Sequence, residues 1–344
     1  MKRFLLVLLV IWAISVPLSA DVFNLGPGLT NLEMVTVGDP GNAADTSGSG
    51  SVNYTYAIGK YEVTAGQYCD FLNHVAATDT YGLYNALMWT DNYGCKIQRS
   101  GSSGGYVYSV AADWANRPVN FVSFWDSLRF ANWLNNGQPT GPQDSSSTED
   151  GAYNINGYNG SDGHTIQRQS GSKYAVTSED EWYKAAYYKG GGNNAGYWSF
   201  PTQSDIKPGQ DTADVLGNNA NYSIAGNYAL GAPYYRTAVG EFENSGSAYG
   251  TFDQGGNVWE RNDSIYTSGS SVYRSRRGGS FGTSWLSLDS YWGSISEGVT
   301  VESWGIGLRV AEVPDGWQPV PEPSSLLVLA GGVGMLIGLR RRRR

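Results

Sequence analysis

Few side chains in this sequence could carry covalent or redox chemistry. There are two cysteines, Cys69 and Cys95, and two histidines, His74 and His164. Two imidazoles are too few for a His-rich zinc site. If the chain is exported, as its ends indicate below, two thiols lead first to one disulfide, which oxidising compartments favour. Aromatic chemistry is plentiful by contrast, with 12 Trp and 24 Tyr among 344 residues that also include 46 Gly. Flat apolar faces with a polar edge suit recognition of sugar rings, and amides and hydroxyls reach their hydroxyl groups. Tyr153, Tyr158, Trp285 and Trp292 are the candidate ligand-binding aromatics.

The elements that must position such groups are short. Thr64 with Gln67 three residues on is a capping-box pattern, and Tyr68, Phe71, Leu72 and Val75 continue it at helical spacing. A second helix is predicted from Ser123 through Phe124, Leu128, Ala131 and Leu134 to a stop at Gly137. A third is predicted from Thr177 to Gly190, with Asp180 and Glu181 in its first turn to suit the helix dipole. Tyr54 to Ile58, Tyr106 to Val110 and Tyr174 to Val176 have strand character. Arg99 to Gly105 and the Gly, Asn, Ser and Asp-rich run Asn135 to Ser172 are expected to be surface insertions. The composition argues against a helical bundle and for a turn-rich α+β body.

The ends carry addresses. Lys2 and Arg3 precede an apolar run from Phe4 to Val16, and Pro17-Leu18-Ser19-Ala20 offers small residues for cleavage, so residues 1–20 read as a signal peptide. At the other end Val320-Pro321-Glu322-Pro323-Ser324 leads into an apolar segment, Leu326 to Leu339, closed by Arg340 to Arg344. That segment is short for a span of 17 to 25 residues, and the arginines would stay cytoplasmic. This end resembles the PEP-CTERM sorting signal, which implies exosortase-type sorting machinery as a partner. Without the seven cations of the two ends, the formal net charge of −8 becomes −15. So acidic a body argues against nucleic acid and anionic lipid and is compatible with cations and neutral glycans.

Between the ends, motifs match one family in order. They are Ile58-Gly59-Lys60-Tyr61-Glu62-Val63-Thr64, Arg117-Pro118-Val119-Asn120-Phe121, Val176-Thr177-Ser178-Glu179-Asp180-Glu181-Trp182, Gly255-Gly256-Asn257-Val258-Trp259-Glu260, Arg277-Gly278-Gly279-Ser280-Phe281 and Gly307-Leu308-Arg309-Val310. Over residues 31–312 the chain resembles the formylglycine-generating-enzyme, or sulfatase-modifying-factor, domain, related to the C-type lectin fold. The resulting division is a signal peptide over 1–20, a lead-in over 21–30, the domain over 31–312, a linker over 313–323 and a hydrophobic segment with its arginine tail over 324–344.

The resemblance implies an active-site serine at Ser280 and two copper(I)-binding cysteines just downstream, but Thr283 and Leu288 stand at those ungapped positions. Copper(I) needs soft sulfur ligands, so copper is not expected. It also implies calcium, with Asn257 and Glu260 as side-chain ligands and the carbonyls of Gly255 and Val258 beside them, since hard oxygens suit that ion. Asn221 matches the start of a second calcium site, whose carboxylate is missing because residues 222 to 240 contain no Asp or Glu. From the residues themselves, Trp182 and Trp259 read as core anchors, Gly278 and Gly279 as close-packing or positive-φ positions, and Glu62, Glu260, Arg277 and Arg309 as partners in buried ion pairs. The expected function is an exported surface or matrix module that binds glycan or protein. The alternatives are an oxidase-type enzyme maturing sulfatases or acting on another substrate, and a purely structural matrix component.

Overall fold

The computed structural model describes residues 31–161, 166–268, 271–292 and 295–318. The expected signal peptide over 1–20, the arginine-tipped tail and His164 lie outside the described residues. In chain order the elements are β1 (Met34–Val37), β2 (Tyr56–Gly59), α1 (Ala65–Val75), α2 (Leu87–Thr90), β3 (Ile97–Ser100), β4 (Val107–Val110), α3 (Phe124–Asn135), β5 (Tyr174–Val176), α4 (Glu179–Tyr187), β6 (Ser223–Ile224), β7 (Asn227–Tyr228), β8 (Trp259–Ser268), β9 (Ser271–Arg277), β10 (Ile295–Glu297), β11 (Ile306–Leu308) and β12 (Val310–Glu312). Loops join most of them, so side chains must hold the loops in place.

Three helices start on reciprocal capping boxes: Thr64 with Gln67, Ser123 with Asp126 and Ser178 with Glu181. Each box satisfies two backbone N–H groups that the first turn leaves unpaired. The third helix starts at Ser178 rather than Thr177 because Ser178 is the residue with a glutamate three positions on. α1 and α3 meet through Phe71, Phe130 and Trp133, whose ring centroids lie 5.2 to 5.9 Å apart.

Two four-stranded sheets organise the body, in the orders β1-β2-β12-β5 and β10-β9-β8-β11. β11 runs parallel to β8; the other pairings are antiparallel. β11 and β12 are separated only by Arg309, where the chain passes from one sheet to the other. Arg309 is fully buried. Its Nε and Nη2 grip both oxygens of Glu260 on β8 at 2.7 Å, Nη1 donates to the Gly59 carbonyl on β2, and Nη2 also donates to the Phe252 carbonyl. The Trp182 indole donates to the same carboxylate at 2.6 Å. One guanidinium thus ties both sheets, and the carboxylate between them is saturated.

Among the described residues of the segment 135–172, expected at the surface, close to half are exposed and about a quarter are buried. Arg129 on α3 makes a two-pronged ion pair with Glu149, and Asn132 bonds to the backbone of Thr148 and Tyr153. Glu149, Thr148 and Tyr153 thus fasten a half-exposed insertion to α3. Cys69 and Cys95 are both free thiols in one apolar cluster, which corrects the expected disulfide. Among the described residues no helix is long and apolar enough to cross a membrane.

Candidate functional site

The turn from Gly255 to Glu260 is built by close backbone approach. Gly256 (φ 100°) bridges to Asn221, and a Cβ there would lie 2.1 Å from the Asn221 carbonyl oxygen, so only glycine fits. Gly278 (φ 96°) closes the neighbouring strand end under the same constraint, 2.5 Å from the Gln254 carbonyl. Asn257, itself at φ 53°, accepts the Phe281 amide on its carbonyl and so carries the turn to Ser280.

The chemistry expected along this path meets a different set of atoms. Ser280 is fully buried and its Oγ has no hydrogen-bond partner. Thr283 is committed to a turn: its Oγ1 accepts the Ser280 amide at 2.8 Å and donates to the Ser280 carbonyl at 3.0 Å. Leu288 is fully buried with Phe200, Ala220 and Tyr222. Neither supplies a soft donor. The two thiols sit in the cluster around α1, and burial, with Cys95 beside it, pushes Cys69 up to about 12, so it stays protonated at neutral pH. A protonated thiol is a poor nucleophile and a poor copper ligand.

The two side chains expected to hold calcium at this turn are already engaged by other groups. Glu260 already has Arg309 and Trp182 on its oxygens. Asn257 Oδ1 accepts from the Asn221 amide, from the Thr237 amide and from the Thr237 hydroxyl, leaving its lone pairs facing donors. The Val258 side chain is buried and packs where a Cβ on Gly307 would stand, and Gly255 lies against Pro201 and Leu288. Asn221 keeps one unpaired oxygen, while its Nδ2 is spent on Asn257 and the Tyr235 carbonyl. The expected pair Asn257 and Glu260 is thereby divided, one residue to an amide network and the other to an ion pair. Among the described residues no group of three His, Cys, Asp or Glu is placed to hold a metal.

The buried-pair expectation holds for Glu260 with Arg309, and Arg277 instead pairs with Glu179 at 2.6 Å. Glu62 departs from it: 1% exposed, it has no partner for either oxygen. Burial, then Asp253 and Glu260, push it well above the usual carboxylate range.

The four expected surface aromatics do not converge. Tyr153 is buried, its hydroxyl bonded to Asp263 at 2.7 Å, so it is a core residue and no ligand platform. Tyr158 is 40% exposed and rests edge-on against Trp125; Trp285 packs on Phe200; Trp292 pairs with Tyr291. A different set does converge. Tyr93, Tyr228, Tyr235, Phe281 and Trp304, from four loops and the end of β7, form a rosette with centroid separations of 4.7 to 5.9 Å. Phe281 is its buried hub, while Tyr228 and Trp304 are over a third exposed. Asn120 Nδ2 ties two of the loops by donating to the Tyr93 and Trp304 carbonyls. The rosette grows directly out of the Ser280 turn. Its members are up to 211 positions apart in sequence, so periodicity carries no sign of them; the one local signal is Phe281 immediately after Gly278-Gly279-Ser280.

No curated protein matches the chain. Among solved structures, CarF is 18% identical (TM-score 0.48) over 83% of this chain and 99% of its own. Treponema denticola variable protein 1 is also 18% identical (TM-score 0.48), over 84% and 98%. PvdO from Pseudomonas aeruginosa is 18% identical (TM-score 0.45), over 83% and 95%. Residues 319–344 match the PEP-CTERM protein-sorting motif, which supports export and sorting at the membrane and implies recognition by exosortase machinery. Residues 35–313 match the sulfatase-modifying factor enzyme 1-like domain, and the chain belongs to that family, with its α+β, C-type-lectin-related fold.

Proposed function

We propose that this chain is an exported binding module, displayed at the cell surface or in its matrix, and that the rosette of Tyr93, Tyr228, Tyr235, Phe281 and Trp304 is its contact surface for a neutral saccharide. The carrying observation is the exchange beside Ser280. A turn-forming Thr283 and a buried Leu288 stand where soft ligands are needed for oxidation, and a partly exposed aromatic surface adjoins them. Aromatic faces exposed on loops that a polar side chain holds in place suit ring stacking, and they ask for no ionised group. The acidic composition of the exported body fits a neutral ligand better than an anionic polymer. The test is a glycan array probed with the full-length protein and with Trp304→Ala. Retained signals that the variant loses support the reading. A blank array, together with copper-dependent turnover of a cysteine-containing sulfatase peptide, would replace it with the oxidase reading.

A further inference from the structure

The buried arginines of this domain follow a pattern that Arg236 breaks. Arg129, Arg168, Arg277 and Arg309 each hold a carboxylate at 2.6 to 2.8 Å. Arg261 and Arg274 give N–H groups to backbone carbonyls, those of Val122 and Val301 and those of Asp263 and Ile166. Arg236 is fully buried and donates from Nη1 to the Tyr93 carbonyl, while its Nε and Nη2 have no partner. These two atoms lie on one edge of the guanidinium, the edge that presents parallel N–H groups and receives an anion in two-pronged fashion.

Nothing of opposite charge stands on that edge. Two acids act on it electrostatically, Glu62 and Asp91, and neither makes an ion pair with it: burial holds Glu62 toward its neutral form, and Asp91 turns an oxygen to the Tyr93 amide. The nearby Cys95 thiol is likewise raised by burial. Arg117 adds a like charge, its Nη1 donating to the Arg236 carbonyl. Burial lowers Arg236 itself only to about 10, so it remains a cation at neutral pH. Trp114 and Phe281 lie 5.7 and 6.0 Å from the guanidinium carbon and offer it π faces, which attract a cation but do not neutralise it. Another unpaired donor is tied to the same turn: Asn257 Nδ2, whose amide oxygen is bonded to Thr237. An uncompensated buried cation with spare N–H groups is costly unless a counter-ion meets it.

We propose that the Nε/Nη2 edge of Arg236 is a closed binding site for a small monovalent anion of halide size. Burial sets the size, because an edge with no exposure, beside Phe281, could take up only a compact ion and not a sugar acid or polyanion. The ion would fix the turn 235–237, and with it the Tyr235 ring, so the site would pre-organise the rosette.

The test uses the full-length protein. Melting is followed by tryptophan fluorescence at constant ionic strength while gluconate, too large to enter, is exchanged for bromide. A saturating rise of roughly 5 °C at 100-fold excess over the dissociation constant is expected, and Arg236→Gln should abolish it. In crystals grown in bromide, an anomalous peak should stand within hydrogen-bonding reach of Nε and Nη2. If Arg236→Gln fails to fold, the bromide peak in the unaltered protein decides. Melting that does not change as bromide replaces gluconate, or density at that edge without anomalous signal, overturns the proposal.

Discussion

Two neighbouring parts of this core treat buried charge in opposite ways. Where the two sheets join, every polar atom of Glu260 is used: Arg309 grips both oxygens, the Trp182 indole adds a third bond, and the spare N–H groups of Arg309 reach Gly59 and Phe252. Around the rosette Arg236, Asn120 and Ser280 keep unpaired polar atoms despite being buried, and so does Glu62, which feels the charges of both Glu260 and Arg236. The same contrast appears in proton affinity. Burial raises Glu181, but Arg168 and its hydrogen bonds overcome that and leave it below the usual range; burial, Asp253 and Glu260 raise Glu62, and the charge of Arg309 does not overcome them. Saturated charge is what a fold needs where loops must be fixed. Unsaturated polar groups beside partly exposed rings are what a recognition site carries.

The comparison is broken most readily at its stronger end. Arg309→Met leaves Glu260 buried without its cation, and unfolding in urea should show a loss of about 3 to 5 kcal/mol. A loss under about 1 kcal/mol would mean that the junction is not held by charge.

The next effect is on pH dependence. Burial raises Asp126 to about 7 and Asp180 and Asp253 to about 6, so each prefers to be neutral in the folded chain. A carboxylate raised on folding contributes stability that is complete below its unfolded pKa, near 4, and disappears as pH rises through the folded value. Urea midpoints should therefore fall from about pH 4.5 to pH 7.5, by a few kcal/mol in total. Asp253→Asn should flatten part of that slope. A midpoint that rises over the range would contradict the assignment.

Glu62→Gln is smaller still. It replaces an acid that burial holds toward its neutral form by a side chain of the same shape and breaks no ion pair, so a change of about 1 kcal/mol or less is expected. Equality with the Arg309→Met loss would erase the distinction between the two regions.

How legible each region was in the sequence follows from the range of its interactions. The helix starts were readable because a capping box is local: Thr64 with Gln67, and Ser123 opening the second helix. The third start moved by one residue because Ser178, and not Thr177, has Glu181 at the right spacing. The fold was legible through ordered motifs, yet their roles were only half so. Glu260 and Arg309 do pair, whereas Glu62, in an equally ordered motif, does not. Tyr153 reads as a loop aromatic until Asn132 and Asp263 draw it inward. The rosette was not legible because its five rings come from four loops and the end of β7 and share no local pattern. Long-range bonds bring them together: those of Asn120, Arg236 and Asn221 to the carbonyls of Tyr93, Trp304 and Tyr235, and the Ser280 turn.

The mildest perturbation separates recognition from stability most cleanly. Gly282 follows the rosette's hub, and a Cβ added there would stand 2.6 Å from the Trp304 ring, at the outer edge of the indole. No positive φ constrains Gly282, so alanine is acceptable to the backbone. The clash can be relieved by turning a side chain that is already 36% exposed. Gly282→Ala should therefore shift the melting midpoint little, by the equivalent of roughly 0.5 kcal/mol. It should also displace the Trp304 face from its place against Phe281 and Tyr93. If the rosette is the contact surface, saccharide binding falls at least tenfold while folding is untouched. Unchanged binding in Gly282→Ala, with crystallography showing the indole displaced, would remove Trp304 from the surface and move the search to Trp285, Trp292 and Tyr158.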